Sequence, residues 1–320
     1  MAAIARRLIQ LVAVLVMVSA FCAVLLEFLP GDPVTTMVPF GDENQRERIR
    51  EELNLNDPLP VRYVQWLGDF VTGDLGNYYR GPTVIDPVSE DVRHALPVSL
   101  LLMFYAQVLT LAISIPAGIF MAYRAGSKSD RTANAAVFAA ISVPNFVLAS
   151  FLIYYGAVRY GWFPASGYVE AGEDFGEHVR HMILPAMSLA VGQIAVYTRL
   201  LRSDMISTLQ EDFILMAKSK GIPNRRILWR HALRPSSLTL LTAAGLNVGT
   251  LIGGSVLIEK IFQLPGMGKL VFDAISGRQY VALQSLVAII AIIYVLVNFF
   301  VDFLYSILDP RIRRSQVGVS

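Results

Sequence analysis

The stretch Met216–Pro235 reads MAKSKGIPNRRILWRHALRP. It is basic throughout, from Lys218 and Lys220 to Arg225, Arg226, Arg230, His231 and Arg234, and it holds no carboxylate. Long apolar runs flank it at about 182–202 and 236–258. Upstream, from Arg199, apolar residues recur at mostly helical spacing as Leu201, Met205, Leu209, Phe213, Met216 and Ala217. Asp212 suits a helix start and Gly221 a helix C-cap, while Pro223 forbids direct continuation. The expected local structure is a short helix, a glycine corner and a second basic stretch. By composition such a segment is either a basic helix on the membrane surface or a docking site for a soluble partner.

The rest of the chain makes the setting a membrane. Of 320 residues, 54% are hydrophobic and 16% charged, with mean hydropathy +0.52. Soluble domains carry about 25% charged residues, and here the deficit sits in long apolar blocks, which indicates a polytopic membrane protein. The net charge of +2 decides little, because placement carries the information. Cys22 stands alone, so no intrachain disulfide can form. Arg6 and Arg7 precede an apolar stretch to Leu29, too long for the core of a signal peptide, so an uncleaved first span is expected.

Six spans are expected at about 8–29, 96–123, 133–158, 182–202, 236–258 and 281–307, each long enough to cross a hydrocarbon core of about 30 Å. Basic residues collect on one side: Arg6 and Arg7, then Arg124, Lys128 and Arg131, then the run from Arg199 to Arg234, then Arg311, Arg313 and Arg314. That side is read as the cytoplasm, with both termini there. The segment 31–94 and the loop 159–181, with Glu170, Glu173, Asp174 and Glu177, fall outside. Within 31–94 a polar helix is expected from Glu43 to Leu53. A second is expected from Val61 to Val71, with Tyr63, Trp66, Leu67 and Phe70 on one face. The expected organisation is 1–30 as tail and first helix and 31–94 as an outer segment. A five-helix core follows at 95–312, with a cytoplasmic loop at 203–235, and then a tail at 313–320.

Catalytic motifs are missing from the sequence: no GxxxxGK[ST], no HExxH and no GxSxG. His178 and His181 share a helical face, but an interfacial, solvated role is expected of them; His94 marks a span boundary. Polar residues inside spans are expensive and therefore candidates for a path or gate. They include Gln107, Gln193, Tyr197, Asn247 and Thr250, with Asn145 and Asn298 beside them. Interhelical hydrogen bonding explains the same residues. Gly245, Gly249, Gly253 and Gly254 give the fifth span a small-residue face suited to close packing. No span carries a run of ionised residues, which argues against a proton- or sodium-coupled carrier.

The basic stretch also resembles a known signature. Ala217, Lys218, Lys220, Gly221, Arg225, Arg226, Arg230, His231, Ala232, Leu233 and Arg234 match the "EAA" loop of membrane subunits in the peptide and nickel branch of bacterial ABC importers. Leu215 stands at the motif's Glu and Pro235 at a usual Asn. Further stretches match in order: LPGDP at 29–33, LPVRYVQWL at 59–67, GDLG at 73–76, LPVSLLL at 96–102, VPNFV at 143–147, ILPAMSLA at 183–190, GGSVLIEKIFQLPGMGKL at 253–270 and LDPRIR at 308–313. The chain is therefore similar to the first of the two permease subunits of dipeptide, oligopeptide and nickel ABC importers.

The resemblance implies an all-α fold of six transmembrane helices, the type I ABC importer permease fold, in a bacterial or archaeal cytoplasmic membrane. It implies a homologous second permease subunit, two cytoplasmic ATPases that hold ATP and Mg, and an extracytoplasmic binding protein that delivers solute. Membrane lipid is a partner and nucleic acid is not; no cofactor is expected on this chain, nor any catalysis of its own. The docking residues it implies are Phe213, Met216, Ala217, Lys218, Ser219, Lys220 and Gly221. Glu259, Phe262, Pro265, Gly266 and Gly268 match its outer loop, with Phe262 and Leu264 expected to pack inward and Glu259 to sit near the membrane boundary, paired or hydrated; Glu259 and Phe262 are candidates for the path or an external gate, with a structural turn as the alternative. Peptides are the expected solute, with nickel or another small solute as the alternative. A self-contained channel or carrier would have no use for the docking loop; a membrane scaffold or sensor without transport is a third class, which copurification of two ATPases with this chain would separate from an importer.

Overall fold

The computed structural model describes residues 2–28, 31–79 and 85–308, excluding the side chains of 2–8, 10, 85, 250 and 301–308. The LDPRIR match beyond Leu308, the tail 313–320 and the side chains of Arg6 and Arg7 lie outside the described residues. Contacts group the chain into two compact units, Met1–Leu100 with Leu264–Leu296 and Leu101–Gln263 with Val297–Ser320. The outer segment thus shares its unit with the first helix and with the chain after Leu264.

The first unit begins with α1 (Ala2–Glu27), α2 (Pro33–Met37), α3 (Glu43–Glu52) and α4 (Leu59–Thr72). An antiparallel hairpin of β1 (Asn77–Tyr79) and β2 (Ile85–Pro87) pairs Tyr78 with Asp86, and is the one small sheet among the described residues of a helical chain. The polar helix expected from Glu43 forms because Asp42 and Gln45 make a reciprocal capping box. α4 starts with Pro60 in its first turn, where a missing N–H costs nothing, and ends at Gly73 with φ +95°. Val34, Met37, Val38, Ile49 and Tyr79 form a small apolar centre under α2 and α3. A larger one gathers Leu26, Tyr78, Val88, Ala95, Met267, Ala274 and Leu286. α13 (Met267–Ser276) and the first part of α14 (Tyr280–Leu308) complete this unit.

α5 (Val88–Tyr123) starts earlier than the hydropathy suggested, so His94 lies in its second turn. In the second unit α6 (Lys128–Ser142) is followed by α7 (Asn145–Leu152), which widens into a π-helical turn from Ile153 to Arg159. The expected span 133–158 is therefore not one straight helix. Its halves meet at 101°. Val143, held extended ahead of Pro144, breaks the helix there. α8 (Phe175–Thr208) is a continuous helix of 34 residues, longer than the expected 182–202, with Pro185 inside it. α9 (Asp212–Ser219) and a turn α10 (Asn224–Arg226) lead through a second π-helical turn, Ile227–Ala232, into α11 (Leu233–Leu246). α12 (Val248–Phe262) follows at Asn247, and the pair bends by 58°, so the expected fifth span is broken too.

Three described helices are long and apolar enough to cross a membrane: α5, α8 and α14 as far as Phe300. The two bent pairs bring the possible crossings to five. α1 adds an apolar stretch, Leu11–Glu27, and the six-span expectation is compatible with this set.

Candidate functional site

α9 has two unlike faces. Ile214 and Ala217 are buried in an apolar cluster with Ile119 and Ala122 of α5, Leu201 and Met205 of α8, and Ile227, Leu240 and Ala244 further along. On the other face Phe213, Leu215 and Met216 are 46%, 55% and 59% exposed. Three large apolar side chains held in the open on an eight-residue helix form a patch suited to a protein or membrane contact. Lys218, Ser219 and Lys220 are exposed beside them. Lys220 caps the helix and Gly221 turns the chain at φ +72°, where Ile222 donates its N–H to the Ala217 carbonyl at 3.2 Å. This is a left-handed glycine terminus.

Of the expected docking residues, Phe213, Met216, Lys218, Ser219 and Lys220 lie on the outer surface, while Ala217 points inward and anchors the helix. Leu215, noted in the sequence only as a departure at the motif's Glu, belongs to the exposed face. Ile214 was missed as its anchor. The signal that hides them is the break at Leu209–Glu211, which resets the helical phase of the series begun at Leu201.

An ion pair secures the neighbouring turn. Arg202 donates from Nε and Nη2 to both carboxylate oxygens of Asp130, each at 2.7 Å. Asp130 is 2% exposed and also accepts from the Gly126 N–H at 2.9 Å and from Asn134 Nδ2 at 3.1 Å. The Arg202 guanidinium, with these further donors, holds the Asp130 carboxyl below its ordinary range. In the sequence Arg202 is one of the basic run from Arg199 to Arg234, and nothing marks Asp130 as its partner. The structure joins α6 to α8 through them.

The polar candidates within the spans converge. Gln107 Nε2 lies 3.5 Å from the Tyr197 hydroxyl, which is also bonded to the Asn247 side chain. Gln193 Nε2 reaches the Asn247 carbonyl at 3.5 Å, and Asn247 Nδ2 donates to the Ala243 carbonyl at 2.8 Å. Tyr197 is fully buried. The cluster links α5, α8 and the α11–α12 break, as interhelical hydrogen bonding would. Thr250 is in α12, its side chain outside those described.

Glu259 and Phe262 are 0% and 1% exposed. Glu259 is enclosed by protein and is not without a partner. Phe262 packs inward as expected, and its carbonyl accepts the Gly167 N–H at 3.0 Å from the 159–174 loop. Leu264 is likewise buried in its own unit. Pro265 and Gly266 form the turn, with Gly266 as the N-cap of α13. Of the fifth-span glycines, Gly254 faces Leu189 and Asn145, but Gly253 has open space before it, so the small-residue face is only partly used for packing.

His178 corrects its expectation. It is fully buried, its Nδ1 donating to the Val169 carbonyl at 2.7 Å, with Tyr105, Tyr168 and Phe175 around the ring. His181 bonds the Glu177 carbonyl, and no group of metal-ligand residues occurs among the described ones.

Residues 114–314 match the family model of the binding-protein-dependent transport system inner membrane component, and residues 1–81 match its N-terminal companion. The chain belongs to this family. It is a membrane permease subunit of the ABC transporter class, an integral membrane protein. It is 38% identical to a probable peptide ABC transporter permease of Sinorhizobium fredii, over 97% of this chain and 98% of that one. It is 39% identical to an oligopeptide transport system permease of Bacillus subtilis over the same shares. A dipeptide transport system permease of Alkalihalophilus pseudofirmus is 33% identical, over 96% and 98%. Among solved structures, a chain of the MetNI methionine ABC transporter superposes with a TM-score of 0.58 at 17% identity, covering 69% of this chain and 97% of that chain. The permease fold is thus the type I ABC importer fold.

Proposed function

We propose that this permease forms half of the path of an ATP-driven peptide importer in a bacterial or archaeal cytoplasmic membrane, with both termini in the cytoplasm. A homologous permease forms the other half, an extracytoplasmic binding protein delivers the peptide, and two ATPases bind ATP and Mg and drive transport by hydrolysis. Relatives named as peptide, oligopeptide and dipeptide permeases support the solute class.

The observation that carries the coupling is the two-faced α9. Its outer apolar face suits a cleft on an ATPase, with Lys218 and Lys220 at the rim. Its inner face is locked to α8 and α5 through Ile214 and Ala217. A packed helix moves as a body, so displacement of α9 is passed to Leu201 and Met205, on the same helix as Tyr197 and its hydrogen bonds to Gln107 and Asn247. The chain itself hydrolyses nothing on this reading.

The test is copurification. Phe213→Asp with Met216→Asp places charge on the outer face without touching the buried anchors. The expected result is normal membrane insertion with the ATPases lost from the purified complex and uptake abolished. ATPases retained at full stoichiometry with normal uptake would refute α9 as their dock.

A further inference from the structure

α4 lies too deep to be only a cap on the outer surface. Its polar residues Arg62, Gln65, Asp69 and Thr72 occupy one narrow stripe, and the rest of its circumference is apolar. The inner part of that apolar arc carries Tyr63, Trp66 and Phe70, whose ring centroids are 5.8 and 5.2 Å apart in succession. The outer part carries Val61, Val64 and Val71, which are 44%, 67% and 75% exposed. Gly68 between them has nothing within 4 Å of where a Cβ would stand.

Contacts to α1 and α14 fix the depth. Arg62 Nη1 is 3.3 Å from Glu27 Oε2, an ion pair at the end of α1 that belongs at the headgroup level. From the next residue the Tyr63 hydroxyl donates to the Val16 carbonyl at 3.2 Å and lies 2.9 Å from Ser19 Oγ. Ser19 is eight residues before Glu27 on α1, about 12 Å further along a helix. Trp66 Nε1 donates to Ser285 Oγ at 3.0 Å, past the first turn of α14. α4 therefore crosses α1 and α14 below the level marked by Glu27.

We propose that α4 is an interfacial membrane helix whose Val61, Val64 and Val71 face rests on the acyl chains of the bilayer. α1, which α4 packs against, also exposes apolar side chains, Val16 and Val24, with Phe28 just past its end. Amphipathic helices of this kind settle about 5–10 Å into the boundary between headgroups and acyl chains, and the roughly 12 Å of α1 between the Glu27 and Ser19 contacts takes in that depth. The polar stripe turns away from the lipid, where Arg62, Gln65 and Asp69 line a cavity of about 240 Å³. The inference requires that α1 and α14 span the membrane and nothing about the solute.

Single cysteines at positions 64, 69 and 71, introduced into the full chain with Cys22→Ser, are spin-labelled and reconstituted in phospholipid vesicles with the subunits that copurify. Relaxation by oxygen, which concentrates in acyl chains, is compared with relaxation by a water-soluble nickel chelate. Labels replacing Val64 and Val71 are expected to favour oxygen several-fold over the chelate, and the label replacing Asp69 to favour the chelate. Asp69→Cys serves as the control on the same helix, so loss of all contrast among the three would also count against the placement. Chelate access at 64 and 71 would show a face turned to water. Shielding of both from oxygen and chelate alike would show a face covered by protein. Either result overturns the proposal.

Discussion

At Gly221 the backbone has φ +72°, yet a Cβ there would meet nothing within 4 Å. The cost of a side chain is therefore conformational alone, about 1–2 kcal/mol for most residues and more for a β-branched one. Gly221→Val is expected to lower uptake while insertion stays normal, and Gly221→Asn to retain most uptake because Asn tolerates that region. Equal uptake in both variants and the wild type would detach the corner from function. Asp130 gives a second prediction. Replacing it by Ala leaves a partly buried guanidinium without its carboxylate, at a cost of about 1–3 kcal/mol, read as a lowered midpoint of thermal unfolding in detergent. Because its folded-state pKa is depressed, its stabilisation is complete above the ordinary value of 3.8 and is lost as pH falls through the lower, folded-state value. The stability difference between wild type and Asp130→Ala should therefore shrink below about pH 4. A difference that persists undiminished there would contradict the pairing.

The elements were legible where one residue type dictates the geometry. The polar helix from Glu43 and the corner at Gly221 could be read directly, and so could the aromatic face of α4. The breaks within the third and fifth spans were not, because hydropathy averages across Pro144 and Asn247 while backbone direction depends on single residues. Buried partners were not legible either. Nothing local in the sequence says that Asp130 meets Arg202, 72 residues away, or that His178 is enclosed by aromatic rings. Close helix packing was sought in the glycines of α12, but a tighter approach is at Gly118 in α5, where a Cβ would stand 3.0 Å from Leu201 Cδ2 on α8. Gly118→Leu should overpack that crossing and cost about 1–3 kcal/mol, with the ATPases still bound if α9 keeps its seat. Unchanged thermal stability would show that α5 and α8 are less tightly packed than they stand here.

For the whole molecule, the proposed orientation puts the basic loops in the cytoplasm, where α9 would meet the ATPases. In a Cys22→Ser background, a cysteine at Asn77 should react with an impermeant maleimide from outside intact cells and one at Ser127 should not. Labelling at 127 would invert the topology. The function class rests on coupling, since a carrier with these helices would draw on an ion gradient and a channel on the solute's own gradient, and neither would need α9. The most direct measurement is uptake of a labelled oligopeptide by cells with and without this chain, under two treatments. One collapses proton and sodium gradients with ionophores while ATP is maintained, and the other depletes ATP while the gradients are held. The account predicts chain-dependent uptake that survives the first and is abolished by the second. Uptake that follows the ion gradients and persists without ATP would contradict it.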